Sequence, residues 1–232
     1  MQIFNWDNAS IRNEPFTVFY IRDLVEPKLY DELADSFPDL SLFRYRDTLG
    51  NKYLLTEAEG QTYFDFVNAR PQWRRFYEEI KGQNFINQVL HFLRSHMNGH
   101  ASASRFSECL TSRFEFSALP TTGGSQRPHT DSPQKVVTLV LSLMKVGEWD
   151  PNWGGGTSIC LPKDQLLRSN YSNRYLEFDD VDVIDTLPFT TNGCVMFVKS
   201  DISWHCVMPI NLSDGRTIRK TVAISLFNKD AN

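Results

Sequence analysis

Three residues of this chain carry the types and spacing of a metal site: His129 and Asp131, flanking Thr130, and the isolated His205 far downstream in an apolar, strand-like stretch. Two imidazoles and one carboxylate hold a non-haem Fe(II) by one face and leave the other open for a cosubstrate and O2. Side chains at i and i+2 of an extended segment point to the same side, so His129 and Asp131 can converge on one ion. The loop signal Thr121-Thr122-Gly123-Gly124-Ser125 before the tripeptide and Pro133 after it predict a motif placed where a strand begins beside a flexible lip. The competing reading makes His129 and Asp131 a surface pair and His205 a core residue.

Other candidate sites are less complete. His96 and His100 share helical i, i+4 spacing, but Gly99 interrupts them and no carboxylate completes a set, so they read as exposed helix-end residues, and His91 reads as a helix-surface residue. Gly154-Gly155-Gly156 lacks a following GK[ST] and reads as a tight turn rather than a phosphate cradle. Cys109, Cys160, Cys194 and Cys206 include no CxxC pair and are too sparse for a disulfide scaffold. Trp149, Trp153 and Trp204 fit either a substrate channel or ordinary packing.

The elements that must position these residues change character along the chain. Before about residue 105 the periodicity predicts a short strand at Phe16–Ile21 and a helix over Asp23–Phe37, stopped by Pro38. A loop with short pieces follows from 38 to 63. Further helices are predicted from Pro71 and over about Asn84–Met97. Beyond residue 105, strands are predicted at Arg113–Leu119, Val136–Met144, Thr157–Leu161, Gly193–Val198, Trp204–Ile210 and Thr221–Phe227. Short strands parted by Gly, Pro and Asn turns suggest a sandwich or jelly roll. The expectation is a mainly β single domain over 1–232, with a helix-rich support region (about 1–104) bracing a jelly-roll core (about 105–228).

Composition sets outer bounds. The 232 residues are 41% hydrophobic and 22% charged, with 17 Phe, 8 Tyr and 5 Trp, enough for a sizeable aromatic core. A net charge of −4 argues against broad nucleic-acid or anionic-membrane binding. The first sixteen residues lack a basic stretch followed by an apolar run, and no apolar run reaches ~18 residues. Neither a secretory leader nor a membrane span is therefore expected, and a reducing, cytoplasmic setting is.

The downstream order of motifs adds a resemblance. Lys135–Met144 (KVVTLVLSLM), Trp149-Asp150, Trp153–Gly156 (WGGG), Pro188, Asn192-Gly193 with CVMF, Ser203–Val207 (SWHCV) and Arg219–Phe227 (RKTVAISLF) follow His129-Thr130-Asp131 in sequence. Over roughly residues 110–228 the chain resembles the 2-oxoglutarate- and Fe(II)-dependent dioxygenases of the prolyl 4-hydroxylase-like group. The resemblance implies a double-stranded β-helix with His129, Asp131 and His205 as iron ligands. It also implies 2-oxoglutarate as cosubstrate, O2 as oxidant, and release of succinate and CO2. Relatives hydroxylate peptidyl proline, free amino acids or small metabolites.

A basic residue early in the last strand is expected to hold the distal carboxylate of the cosubstrate. Arg219 fits, because a guanidinium grips a carboxylate through two hydrogen bonds; Arg216 is the alternative. On that strand Arg219, Thr221, Ala223 and Ser225 share one face, and Val222, Ile224 and Leu226 the other. Ser142 stands where many relatives carry a cosubstrate-binding tyrosine, with Thr138 on the same face. Phe114 and Phe116 occupy the preceding strand, where a tyrosine is also frequent. The loop from Phe43 through Arg44 and Arg46 to Tyr53 suits either an anionic or peptide substrate or plain solvent exposure. Two further readings remain: a cupin-like metalloprotein that does not use 2-oxoglutarate, and a non-catalytic jelly-roll binding module.

Overall fold

The computed structural model describes residues 3–97, 110–212, 215 and 217–228. In chain order these form β1 (Ala9–Arg12), β2 (Val18–Ile21), α1 (Pro27–Asp35), β3 (Arg44–Arg46), β4 (Lys52–Leu55), α2 (Gln61–Asn68), α3 (Pro71–Lys81) and α4 (Gln83–His96). There follow β5 (Leu110–Pro120), β6 (Thr122–His129), β7 (Lys135–Ser142), β8 (Thr157–Pro162), β9 (Val181–Leu187), β10 (Cys194–Val198), β11 (His205–Asn211) and β12 (Ile218–Asn228). No helix among the described residues is long and apolar enough to cross a membrane.

Proline and glycine set several of these limits. Pro27 opens α1, and the Glu26 carboxylate caps it by accepting from the backbone N–H groups of Lys28 and Leu29. The helix therefore starts four residues later than the apolar spacing predicts. Leu24 and Val25 are buried in extended chain instead, where Asn192 holds both backbone polar groups of Val25 (3.0 and 2.7 Å). The predicted loop over 38–63 contains the β3–β4 hairpin and the start of α2. The glycine-rich stretch read as a loop lies almost entirely within β6. Its Gly124 passes so close to β5 that a Cβ would sit 2.0 Å from the Pro120 carbonyl oxygen, so the glycine marks close strand packing.

All strand pairings are antiparallel in two sheets, ordered β1-β2-β10-β7-β12-β5-β4-β3 and β6-β11-β8-β9. From β5 to β12 the chain crosses between the sheets at every step except β8 to β9, which are neighbours in the small sheet, as in a jelly roll. The N-terminal region adds β1 and β2 to one edge of the large sheet and β3 and β4 to the other.

The large sheet is two-faced. Val222, Ile224 and Leu226 of β12, Leu139 and Leu141 of β7, and Phe114 and Phe116 of β5 bury their side chains against the helices. Each such side chain contributes about 1.5–3 kcal/mol. Phe116 lies 4.7 Å, centroid to centroid, from Trp73 of α3. The opposite face carries Arg219, Thr221, Thr138, Ser117 and Glu115, which line a cavity between the sheets. Phe114 and Phe116 thus point away from the position that a cosubstrate-binding tyrosine would need.

Candidate metal centre

The three chemistry-bearing residues meet at one end of the sandwich. His129 closes β6, His205 opens β11, and the two are direct partners across the small sheet, with ring centroids 4.3 Å apart. The motif lies at the end of a strand, not at the start predicted for it. Nor does the chain stay extended through Asp131: its φ of 66° turns the backbone left-handed. An aspartate tolerates this conformation better than most residues. The turn brings its carboxylate Oδ1 to 3.6 Å from His129 Nε2. One donor atom from each of His129, Asp131 and His205 lies within 4.8 Å of the others, and all three residues are buried.

Hydrogen bonds orient this donor set. His129 Nδ1 bonds the Arg127 carbonyl (2.9 Å) and His205 Nδ1 the Ser203 carbonyl (2.9 Å). A carbonyl only accepts, so each Nδ1 carries the proton and each Nε2 keeps a lone pair. Burial, aided by neighbouring His129, pushes the His205 pKa down to about 3, which keeps that ring neutral. Burial opposes the Asp131 charge. The Lys135 ammonium overcomes this and holds its carboxyl well below the usual range. Lys135 Nζ donates to Asp131 Oδ1 at 3.0 Å and the Thr138 hydroxyl to Oδ2 at 2.7 Å.

The same cavity, about 240 Å³, is lined by Arg219. This guanidinium is buried, and burial lowers its pKa to about 9. Its Nε donates to the Gly155 carbonyl at 2.5 Å, and the group lies 4.1 Å over the Phe189 ring. No carboxylate among the described residues lies within ion-pair distance of it. Gly155, at φ 74°, permits the contact: a Cβ there would stand 2.8 Å from Trp149 and 3.2 Å from Arg219 Cδ.

The other expected residues separate. Thr221 lines the cavity and donates to the Ser117 carbonyl (3.2 Å). Thr138 lines it with its hydroxyl committed to Asp131, whereas Ser142, paired in register with Thr221, lies outside the lining. Arg216, Cys109 and His100 lie outside the described residues. His96 bonds the Phe92 carbonyl (2.8 Å), Trp149 packs on Phe189, and Trp204 Nε1 donates to the Arg168 carbonyl (2.7 Å).

Three cavity residues carry no signal in the motif reading. Tyr175 stacks on His129 at 5.1 Å and 13°, on a segment pinned to β6 by the Leu176 N–H and the Pro128 carbonyl (3.0 Å). Lys52 enters from β4 and Glu115 from β5. Alternation along β5 places Glu115 on the cavity face only because Phe114 and Phe116 take the helix-packed one.

The sequence matches no family model, and no curated protein matches it significantly. Solved structures do share its fold. A Trichoplax adhaerens prolyl hydroxylase, in complex with a hypoxia inducible factor peptide fragment, superposes with a TM-score of 0.55 at 10% identity, over 91% of this chain and 83% of that one. The epimerase SnoN, in complex with Fe3+, alpha ketoglutarate and nogalamycin RO, gives 0.53 at 11% over 91% and 78%. HygX from Streptomyces hygroscopicus, with nickel and 2-oxoglutarate bound, gives 0.52 at 9% over 92% and 83%. The fold is therefore the jelly roll used by 2-oxoglutarate-dependent oxygenases of the prolyl hydroxylase-like type.

Proposed function

We propose that this chain is an Fe(II)- and 2-oxoglutarate-dependent dioxygenase that hydroxylates a C–H bond of a peptidyl or small-molecule substrate. The observation that carries the reading is Arg219, a buried cation without a carboxylate partner among the described residues, facing the cavity that holds the three-donor cluster. A buried charge without a counter-ion is costly unless a ligand supplies one. A dicarboxylate with one end on the metal does so.

The donor set suits Fe(II): two imidazoles whose Nδ1 atoms are engaged by backbone carbonyls, which leaves Nε2 to face a metal, and one carboxylate. Bound iron would supply the oxidising chemistry, in which 2-oxoglutarate and O2 become succinate and CO2 and one oxygen atom goes to the substrate carbon. The protein's share is positioning. His129, His205 and Asp131 hold one face, Thr138 and Lys135 fix the carboxylate, and Arg219 grips the distal end of the cosubstrate. Tyr175 covers His129, and Val140 and Leu119 keep the cavity wall apolar. The buried free thiols Cys160, Cys194 and Cys206 suit a reducing compartment such as the cytoplasm.

The test is succinate formation after anaerobic loading with Fe(II) and 2-oxoglutarate and admission of O2. Turnover should require both additions and vanish in His129→Ala. Full iron-dependent turnover in that variant overturns the assignment. Calorimetric titration of 2-oxoglutarate with and without metal separates this reading from a metalloprotein that ignores the cosubstrate and from a metal-free binding module.

A further inference from the structure

We infer that Lys52 recognises a carboxylate on the primary substrate, so that the substrate is a small carboxylic acid rather than a neutral segment of a peptide. The inference rests on the function proposed above and concerns the half of the cavity that function leaves unassigned.

Charge balance is the first observation. Three cations, Lys52, Lys135 and Arg219, and two carboxylates, Glu115 and Asp131, line the cavity. A divalent metal and a dianionic cosubstrate cancel one another, so the excess positive charge survives loading. Low-dielectric walls amplify such an excess and favour a monoanion. A single ammonium matches one carboxylate better than a phosphate dianion.

The location of that excess is the second observation. Lys135 is tied to Asp131 at 3.0 Å. Arg219 sits against Gly155 and Phe189, in the place of the cosubstrate anchor. Lys52 Nζ has one partner, the neutral Gln126 Oε1 at 2.8 Å, and no carboxylate within ion-pair distance among the described residues. Glu115 acts on both lysines electrostatically but hydrogen-bonds neither. An ammonium has three protons to donate, so Lys52 can bind an anion while keeping Gln126.

The third observation is its mounting. Lys52 and Leu54 project from β4 into the cavity, while Tyr53 between them packs on Tyr45 outside (5.2 Å). The turn of this hairpin is sewn to β6: the Ser125 N–H donates to the Asn51 carbonyl (3.2 Å) and the Arg127 N–H to that of Leu49 (2.9 Å). Arg44 and Arg46, the basic residues prominent in sequence, are exposed and reach Glu59 instead (3.6 and 3.8 Å).

The experiment titrates protein loaded with redox-quiet Mn(II) and 2-oxoglutarate with N-acetyl-L-amino acids and their matching primary amides, read by calorimetry. The best acid should bind about tenfold or more tightly than its amide, the scale of one charge-assisted hydrogen bond. Lys52→Met should erase that difference and Lys52→Arg restore part of it. Equal binding of acids and amides, binding of neither, or an acid preference that survives Lys52→Met overturns the inference. So does a loss of 2-oxoglutarate affinity in Lys52→Met as large as that in Arg219→Met, which would make Lys52 a cosubstrate ligand. If wild-type protein binds no 2-oxoglutarate, the proposed function fails separately, and the acid–amide comparison on Mn(II)-loaded protein still reads Lys52.

Discussion

Asp131 sits in the left-handed region, and its carboxylate is aimed by two neighbours rather than by strand geometry. Thr138 is the neutral one. Thr138→Val keeps the shape and deletes the hydrogen bond to Oδ2, so metal affinity should fall about 10–100-fold. Calorimetry with Mn(II) on the folded variant measures this. Metal-free protein should also show a defined pH response. His205 titrates near 3 in the folded state against 6.5 for an ordinary histidine, so the unfolded chain takes up a proton the folded chain refuses. That contribution is complete above about pH 6.5 and is lost as pH falls towards 3. Asp131, held low, keeps its contribution down to the ordinary carboxylate value of 3.8 and loses it only below that, as pH falls towards its depressed folded pKa. Tm in chelator should therefore drop between about pH 7 and 4 through His205, and His205→Gln should flatten that decline, with the Asp131 loss following at lower pH.

Among the elements, β12 and the glycine loop before β8 work as a pair. Gly155→Ala places a methyl group between Trp149 and Arg219 at a positive φ. The variant should lose about 1–2 kcal/mol in backbone strain and bind 2-oxoglutarate about tenfold more weakly as the guanidinium shifts. Thermal melts and cosubstrate titration check the two effects. The element scale also explains what the sequence made legible. The face of β12 bearing Arg219, Thr221, Ala223 and Ser225 follows from alternation alone, and the helices over α3 and α4 follow from apolar spacing. The strand β6 hid behind two glycines, of which Gly124 packs closely on Pro120, and β9 hid because its Val183 and Ile184 are exposed. Tyr175 and Lys52 reach the cavity through tertiary pairing of distant segments, which no local period encodes.

Over the whole molecule, the aromatic layer joins the helices to the large sheet. Phe116 is fully buried among Trp73, Phe66, Tyr63 and Phe37. Phe116→Ala should cost about 3–5 kcal/mol, read as a lower urea midpoint with the slope unchanged. The edge strands carry a kinetic consequence as well. On one side β2 bonds only the short outer strand β1 and, far along the chain, β10; on the other, β4 bonds β3 and waits for β5. During synthesis the apolar Val18–Ile21 segment leaves the ribosome long before Cys194–Val198 exists to cover its inner edge. Pairings of such long sequence separation fold slowly and leave strand edges open to other chains in the interval. The architecture that extends the large sheet at both edges thus leaves the strand β2 waiting for a partner made far later.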